Sequence, residues 1–260
     1  MLFHLPRAGI HHSGGISRAL AEHPHGREEA CEGRSAAIEF TILLPCLNEA
    51  NSLEFVIREA QAEIERLGLD AEILVADNGS TDDSVTIAEA SGARVAHIPE
   101  KGYGAALIGG IHAALGEYII MGDSDGSYDF GNLAPFVDAL RGGCALVMGN
   151  RFKGGIEPGA MPTLHKLGVP VLSWLARMKF RTTVGDFHCG LRGFRREDAL
   201  ALGLSCPGME FATEIIAAFA KSGARIVEVP TKLRRDRRGK KSHLRTFRDG
   251  WRHLRYILFK

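Results

Sequence analysis

The sequence predicts an α/β protein built on a mostly parallel sheet with helices on both faces. Three observations predict it. Short apolar runs alternate with amphipathic stretches from Phe40 to Gly149. The runs are continuously apolar, as strands covered on both faces of a parallel sheet are. Each of four runs ends in polar residues: Asn48-Glu49, Asp77, Asp123 with Asp125, and Arg151. Ligands of such sheets bind beyond the carboxyl ends of the strands, so these groups are expected to converge on one rim.

Taken in order, Phe40 to Pro45 is the first strand, leading into Pro45-Cys-Leu-Asn-Glu49. A helix follows from Ser52 to Leu67, because Leu53, Val56, Ile57, Ala60, Ile64 and Leu67 share one face and Ser52 suits the N-cap. Ala71 to Ala76 is the second strand, and after the Asp77–Asp83 loop a second helix runs to Ser91. Ala93 to Ile98 is the third strand, and Lys101-Gly-Tyr-Gly turns into a helix reaching Leu115. Tyr118 to Met121 is short, partly β-branched and stopped by Gly122, which reads as a buried fourth strand. Asn132 to Leu140 is helical and Ala145 to Gly149 is the fifth strand.

Past Arg151 the alternation is lost. Thr163 to Phe180 is apolar with basic edges at Lys166, Arg177 and Lys179, and Pro170 is expected to break or kink it. Asp186 to Phe194 is a Gly-punctuated loop entering a short strand; Phe211 to Ala220 is a helix and Arg225 to Val229 a strand.

Composition bounds the function. Apolar content of 45% and charged content of 24% are those of an ordinary globule. Residues 1–36 are rich in His, Gly, Glu and Arg without periodicity, and are expected to be a disordered extension. They hold no apolar leader segment, and no run of eighteen apolar residues exists anywhere. Five scattered cysteines without Cys-x-x-Cys argue for reduced thiols in the cytoplasm, against a disulfide framework or a zinc site. From Lys232 to Lys260 twelve Lys or Arg face two Asp, yet the whole chain carries only +1. A basic tail on an acidic body points to an anionic partner. Residues 37–231 are therefore read as the folded domain, and 232–260 as a basic loop with an amphipathic helix.

Three carboxylates, Asp123, Asp125 and Asp129, fall within seven positions after the fourth strand. Side chains alternate along extended backbone, so Asp123 and Asp125 project from one side. Their repulsion is relieved by a cation, and a divalent ion arriving with a phosphate-bearing substrate would supply it. A solvated turn is the competing reading. A calcium loop of the EF-hand type needs Gly sixth and Glu twelfth, whereas counting from Asp123 puts Gly126 fourth and Ala134 twelfth. A dinucleotide fingerprint matches two of its three glycines at Gly102 and Gly104, with Leu107 in place of the last and the wrong strand before it. No P-loop is present.

Pro45-Cys-Leu-Asn-Glu49, Asp77-Asn-Gly-Ser-Thr-Asp82, Lys101-Gly-Tyr-Gly104, Asp123-Ser-Asp125 and Gly149-Asn-Arg151 resemble, in order, the motifs of family 2 glycosyltransferases with the Rossmann-like GT-A fold. Asp186 to Phe194 and Arg237-Arg-Gly-Lys-Lys-Ser242 resemble its polyprenyl-phosphate branch, the dolichyl-phosphate mannose and glucose synthases. The resemblance covers about residues 38–258. It implies that Pro45, Asn48, Glu49 and Asp77 hold the base and ribose of a GDP- or UDP-hexose, with Lys101 beside them. Asp123 and Asp125 would bind its diphosphate through Mg2+ or Mn2+. Many relatives have Asp-Ala-Asp-Leu-Gln here, so their Gln contact is missing, and Ser127 or Asp129 is left as its replacement.

The expected nucleophile is a lipid phosphate, already ionised near neutral pH, which needs orientation and charge screening more than a base. Arg151 and Arg192 are the candidates to contact it, with structural salt bridges as their alternative. Asp186 would serve as base toward a hydroxyl acceptor. Lys240 or Lys241, with Ser242, would close over the donor diphosphate. Arg245, Arg248, Arg252 and Arg255 stack on one helical face, and Phe247, Trp251, Leu254 and Leu258 on another. Such a helix lies in an anionic lipid interface, or else packs its apolar face on the body. The expected setting is the cytoplasmic face of the membrane, with the enzyme peripheral, or the chain cut short before membrane helices that many relatives carry. Nucleic acid is not an expected partner. A soluble acceptor and a non-catalytic membrane-surface module are the other readings.

Overall fold

The computed structural model describes residues 38–239 and 246–260. The expected extension at 1–36, and Lys240, Lys241 and Ser242, lie outside the described residues. The chain runs β1 (Phe40–Cys46), α1 (Leu53–Leu67), β2 (Ala71–Asp77), α2 (Ser84–Ala90), β3 (Arg94–His97), α3 (Tyr103–Ala113), β4 (Tyr118–Met121) and α4 (Ala134–Arg141). It continues through β5 (Leu146–Asn150), α5 (Arg151–Gly154), α6 (Thr163–Phe180), β6 (Arg192–Arg195), α7 (Arg196–Ala201), α8 (Phe211–Lys221), β7 (Ile226–Pro230) and α9 (Thr246–Phe259).

The strands form one sheet in the order β3-β2-β1-β4-β6-β5-β7. All pairings are parallel except those of β6, which runs antiparallel between β4 and β5. The chain reaches β6 from the 186–190 loop at the rim where β4 and β5 end, so the strand has to run back. From β1 the order proceeds to β2 on one side and β4 on the other, which opens a crevice at the carboxyl end of β1.

Alternation along β1 sends Ile42 and Leu44 to one face and Leu43 to the other. The first face is covered by α1, α2 and α4 through Leu53, Val56, Ala88, Phe136 and Leu140. The second is covered by α3, α6, α8 and α9 through Leu107, Ala176, Phe180, Ile215 and Ile257. Both faces are thus dry, which is why the strands carry no polar alternation.

Two local expectations change. Ser52 precedes α1 without capping it by its side chain. Its hydroxyl instead donates to Glu49, at 3.3 Å to the carbonyl and 3.4 Å to the carboxylate. Pro170 lies inside α6, at an exposed position, without ending it. The described residues belong to one compact unit.

Helix α9 docks by Asp249, His253 and Ile257, all buried. His253 Nδ1 is 2.8 Å from Thr213 Oγ1, and its ring meets His188 edge-on at 4.5 Å. Burial, reinforced by Arg192 and Arg252, pushes His253 down to about 4. Burial, with His253 and Arg151 nearby, holds His188 well below the ordinary range as well. Both rings are neutral in the fold, while the unfolded chain takes up their protons as pH falls through about 6.5. Stability is therefore lost from about pH 6.5 down to about pH 4, with His253 alone contributing up to about 3 kcal/mol. Thermal melts should show Tm falling over this window, and His253→Gln should flatten the fall; identical slopes would contradict the assignment.

Candidate functional site

The crevice at the end of β1 is a cleft of about 290 Å³. Pro45, Glu49, Asn78, Lys101, Tyr103, Asp123, Asp125, Met209 and Arg238 are among the residues that line it. A larger cavity, of about 570 Å³, lies at the opposite end of the sheet beside Ile38, Ala71 and Leu115. Its lining carboxylates are Glu65 and Glu72, and Glu72 is already paired with Arg94 at 2.9 Å, so it offers no comparable acid cluster.

The acids of the cleft come from two strand ends. Glu49 enters from the turn after β1, where its amide donates to Ser84 Oγ at 2.8 Å. Asp123 and Asp125 follow β4, and Asp123 Oδ1 accepts from the Tyr103 hydroxyl at 2.9 Å. Gly126, at φ +75°, turns the backbone so that Ser127 N donates to Asp125 Oδ1 at 2.9 Å.

Burial and the neighbouring Asp125 raise Asp123 to about 6. Burial raises Glu49 to about 7; Arg238 works against the shift, while Asp125 and Asp123 add to it. These carboxylates repel one another, and the cation among them is Arg238. Its guanidinium is 3.0 Å from Asp125 Oδ2 and 3.5 Å from Glu49 Oε1. The segment behind it is tied down by Arg237 N on the Asp125 carbonyl and Arg234 N on the Ser127 carbonyl, each at 2.8 Å.

Among the described residues no group of three His, Cys, Asp or Glu is disposed to hold a metal by itself. The donor set is nonetheless oxygen-only and already carries a positive group. That fits Mg2+ or Mn2+, hard ions that take one or two carboxylates and complete their shell with water and substrate phosphate. Asp123 and Asp125 are the residues that would hold it.

The other expected residues divide. Pro45, Glu49 and Lys101 line the cleft, as do Asp123 and Asp125. Asn48 does not: at φ +59° its side chain accepts from Thr81 N at 2.7 Å and ties the first loop to the second. Asp77 is turned to its own loop, accepting from Gly79 N at 3.1 Å and Ser80 N at 3.0 Å. Burial opposes its ionisation, but the Ser80 hydrogen bonds win and hold its carboxyl below the usual range.

Asp129 is not brought into the cleft with Asp123 and Asp125. Beyond the Gly126 turn its carboxylate accepts from Gly131 N at 3.1 Å and lies 3.7 Å from Arg234, outside the cleft lining. Arg151 and Asp186 form a buried bidentate pair, with both N···O distances 2.7 Å. Asp186 also accepts from Arg151 N and His188 N, so its oxygens are committed and a role as base is not available to it as placed. Arg192 is 1% exposed and donates to the carbonyls of Cys189, Ala212 and Phe187. It holds the 187–189 loop against α8 and does not reach the cleft. Tyr103, Met209 and Arg238 are cleft residues that the sequence did not assign a role, although Tyr103 lies inside the Lys101–Gly104 turn and Arg238 inside the Arg237–Ser242 motif.

The family model for glycosyl transferase family 2 matches residues 41–202, the segment that contributes both strand-end loops. The chain belongs to glycosyltransferase family 2. This glycosyltransferase is 35% identical over 252 residues to the low-salt glycan biosynthesis hexosyltransferase Agl6 of Haloferax volcanii, covering 96% of the chain and 57% of that relative. It thus spans little more than half of that relative's length. A dolichyl-phosphate hexose transferase of the same organism is 28% identical over 196 residues, covering 75% of the chain and 83% of the relative. Among solved structures, glucosyl-3-phosphoglycerate synthase of Mycobacterium tuberculosis with Mn2+, UDP and phosphoglyceric acid aligns at TM-score 0.58 and 26% identity, covering 76% and 72% of the two chains. The sheet and its helices are those of the GT-A fold.

Two outcomes separate these roles. For the glycosyltransferase, Asp125→Ala should lower turnover by about 100-fold or more with the fold retained, since a carboxylate that would hold the cation facing the developing negative charge is lost. Asp129→Ala should stay within a few-fold of wild type; equal losses in initial-rate assays would restore Asp129 to the site. Asp186→Ala should cost about 3 to 5 kcal/mol of stability in denaturant melts, because it strands a buried guanidinium. A stable but inactive variant would instead make Asp186 a chemical participant.

Proposed function

We propose that this glycosyltransferase moves a hexose, with inversion, from a GDP- or UDP-sugar to a polyprenyl phosphate at the cytoplasmic membrane face. The observation that carries the reading is the cluster of Glu49, Asp123 and Asp125 around the Arg238 guanidinium at the crevice of the sheet. An anionic diphosphate with its metal ion suits that cluster, replacing one cation by another at Asp125. When bound, the ion neutralises charge building on the leaving nucleoside diphosphate. Glu49 and Pro45 from the first loop and Lys101 from the third border the space for the nucleoside. Asn48 and Asp77 shape the first and second loops through backbone hydrogen bonds. Lys240, Lys241 and Ser242, which follow Arg238 in sequence, remain the proposed closure over the diphosphate.

Membrane docking is supported by a surface on α6 and α9, which pack together through Phe180 and Tyr256. Helix α6 exposes Leu164, Leu167, Val171, Trp174 and Met178 at spacings of three and four, with Lys166 and Lys179 exposed beside them. Helix α9 exposes Trp251, Leu258 and Phe259 together with Arg248 and Arg255. Aromatic and aliphatic side chains bordered by cations suit an anionic lipid interface. No described helix is long and apolar enough to cross a membrane.

A soluble phosphate acceptor is the second reading, favoured by the phosphoglyceric acid in the mycobacterial complex. The test is one panel: full chain, Mn2+, each GDP- and UDP-hexose, with either polyprenyl phosphate in vesicles or 3-phosphoglycerate, products read by mass spectrometry. Glycolipid from one donor is the expected result. Transfer to phosphoglycerate alone would replace the lipid reading, and no transfer or donor hydrolysis in any well would end the proposal.

A further inference from the structure

The donor cleft has a wall that no family motif supplies. It is the segment 202–210 between α7 and α8, which puts Met209 into the cleft lining. One end is pinned by Glu214 of α8, whose carboxylate accepts from Ser205 N at 3.2 Å and Cys206 N at 2.8 Å. The middle lies directly on the Lys101–Gly104 turn. Ala105 N donates to the Pro207 carbonyl at 3.1 Å, and a Cβ at Gly102 or Gly104 would collide with the Pro207 or Cys206 carbonyl. The turn and the wall therefore cannot move independently.

The other end is held from α9. Arg252 Nε is 2.8 Å from Glu210 Oε2, and its Nη2 donates to Glu210 Oε1 at 3.1 Å. A side chain at Gly208 would run into this ion pair, so the pair rests on the backbone beside Met209. Arg252 is thus unlike the other arginines of its helix: Arg248 and Arg255 are exposed, whereas Arg252 is half-buried against Glu210, next to the buried His253. Trp251, the next residue, is 61% exposed on the outer side. One helix accordingly presents an aromatic outward and, one position on, a guanidinium that fixes the donor wall.

We propose that Arg252 is a positioning residue, paired with Glu210, through which the seating of α9 on a lipid surface sets the Met209 wall and hence the affinity for the nucleoside diphosphate of the donor. This rests on the donor and membrane readings above. The pair touches no substrate. It limits where Met209 sits, and a helix drawn toward lipid by Trp251 carries that limit with it. Coupling of this kind is an affinity ratio between two states of the helix, so it has to appear as vesicle-dependent binding.

The test uses the full chain with Mn2+ and UDP or GDP, affinity being read by calorimetry with and without vesicles containing phosphatidylglycerol. Arg252→Ala and Glu210→Ala should each weaken binding about 5- to 10-fold, and the double variant no further than either alone. Arg252→Lys should recover part of the loss, and Arg58→Ala, at an exposed arginine of α1, should bind nucleotide as wild type does. Vesicles should tighten binding to wild type and leave Arg252→Ala unaffected. Unchanged affinity in both Ala variants, multiplying losses in the double variant, or an equal vesicle effect in wild type and Arg252→Ala would overturn the proposal. Loss of binding in Arg252→Ala with no vesicle capture by any variant would retain Arg252 as a positioning residue and remove the lipid from its control. No binding of either nucleotide to wild type would refute the donor reading, and this inference with it.

Discussion

Three carboxylates held against one another at the crevice of a dry sheet are the constraint on which the rest of the site depends. Glu49 and Asp123 are shifted upward by burial and by mutual repulsion, and Arg238 is the group that makes the cluster tolerable. The cost is met by the segment that delivers Arg238. Leu233 bridges to Tyr128 and Ile156, and Arg234 pairs with Glu59 of α1 at 2.7 Å. Arg237 lies over the Phe55 ring at 3.7 Å. The strap is thus anchored on α1 and on the loop after β4 before Arg238 reaches the cleft.

On the other side of the site the positive charges are internal. Arg151 is neutralised by Asp186, and Arg192 spends its donors on carbonyls. A buried ion pair of this geometry adds little to net stability but is costly to break, so its effect is to fix conformation. Here it fixes the 186–190 loop, which packs against Asp123 through Gly190, where a side chain would meet the carboxylate. The loop read as a source of chemistry is thus the mould into which the Asp123 carboxylate fits.

Much of the fold was legible because it rests on local periodicity. The continuous apolar runs of β1, β2, β4 and β5 and the amphipathic face of α1 follow directly from being covered on one or both sides. The clustering of Glu49, Asp123 and Asp125 was legible for the same reason, since strand ends in a parallel sheet share a rim. The antiparallel sense of β6 was not, because four residues carry no direction until the chain before them has been placed. Asp129 and Asp125 are equivalent as residue types, and only the Gly126 turn sends one outward. Arg238 and Arg252 sit in runs of basic residues, and which member turns inward depends on carboxylates far away in sequence: Asp125 and Glu49 for one, Glu210 for the other.

The central claim is that one cation position at Asp125 serves both the ligand-free protein and the donor complex. A crystal structure of the full chain with Mn2+ and UDP or GDP tests it most directly. The account predicts Mn2+ bound by Asp125 and the diphosphate, with the Arg238 guanidinium moved off Asp125 Oδ2. A nucleotide bound elsewhere, or a complex in which Arg238 keeps its 3.0 Å contact and the metal lies apart from Asp125, would contradict it.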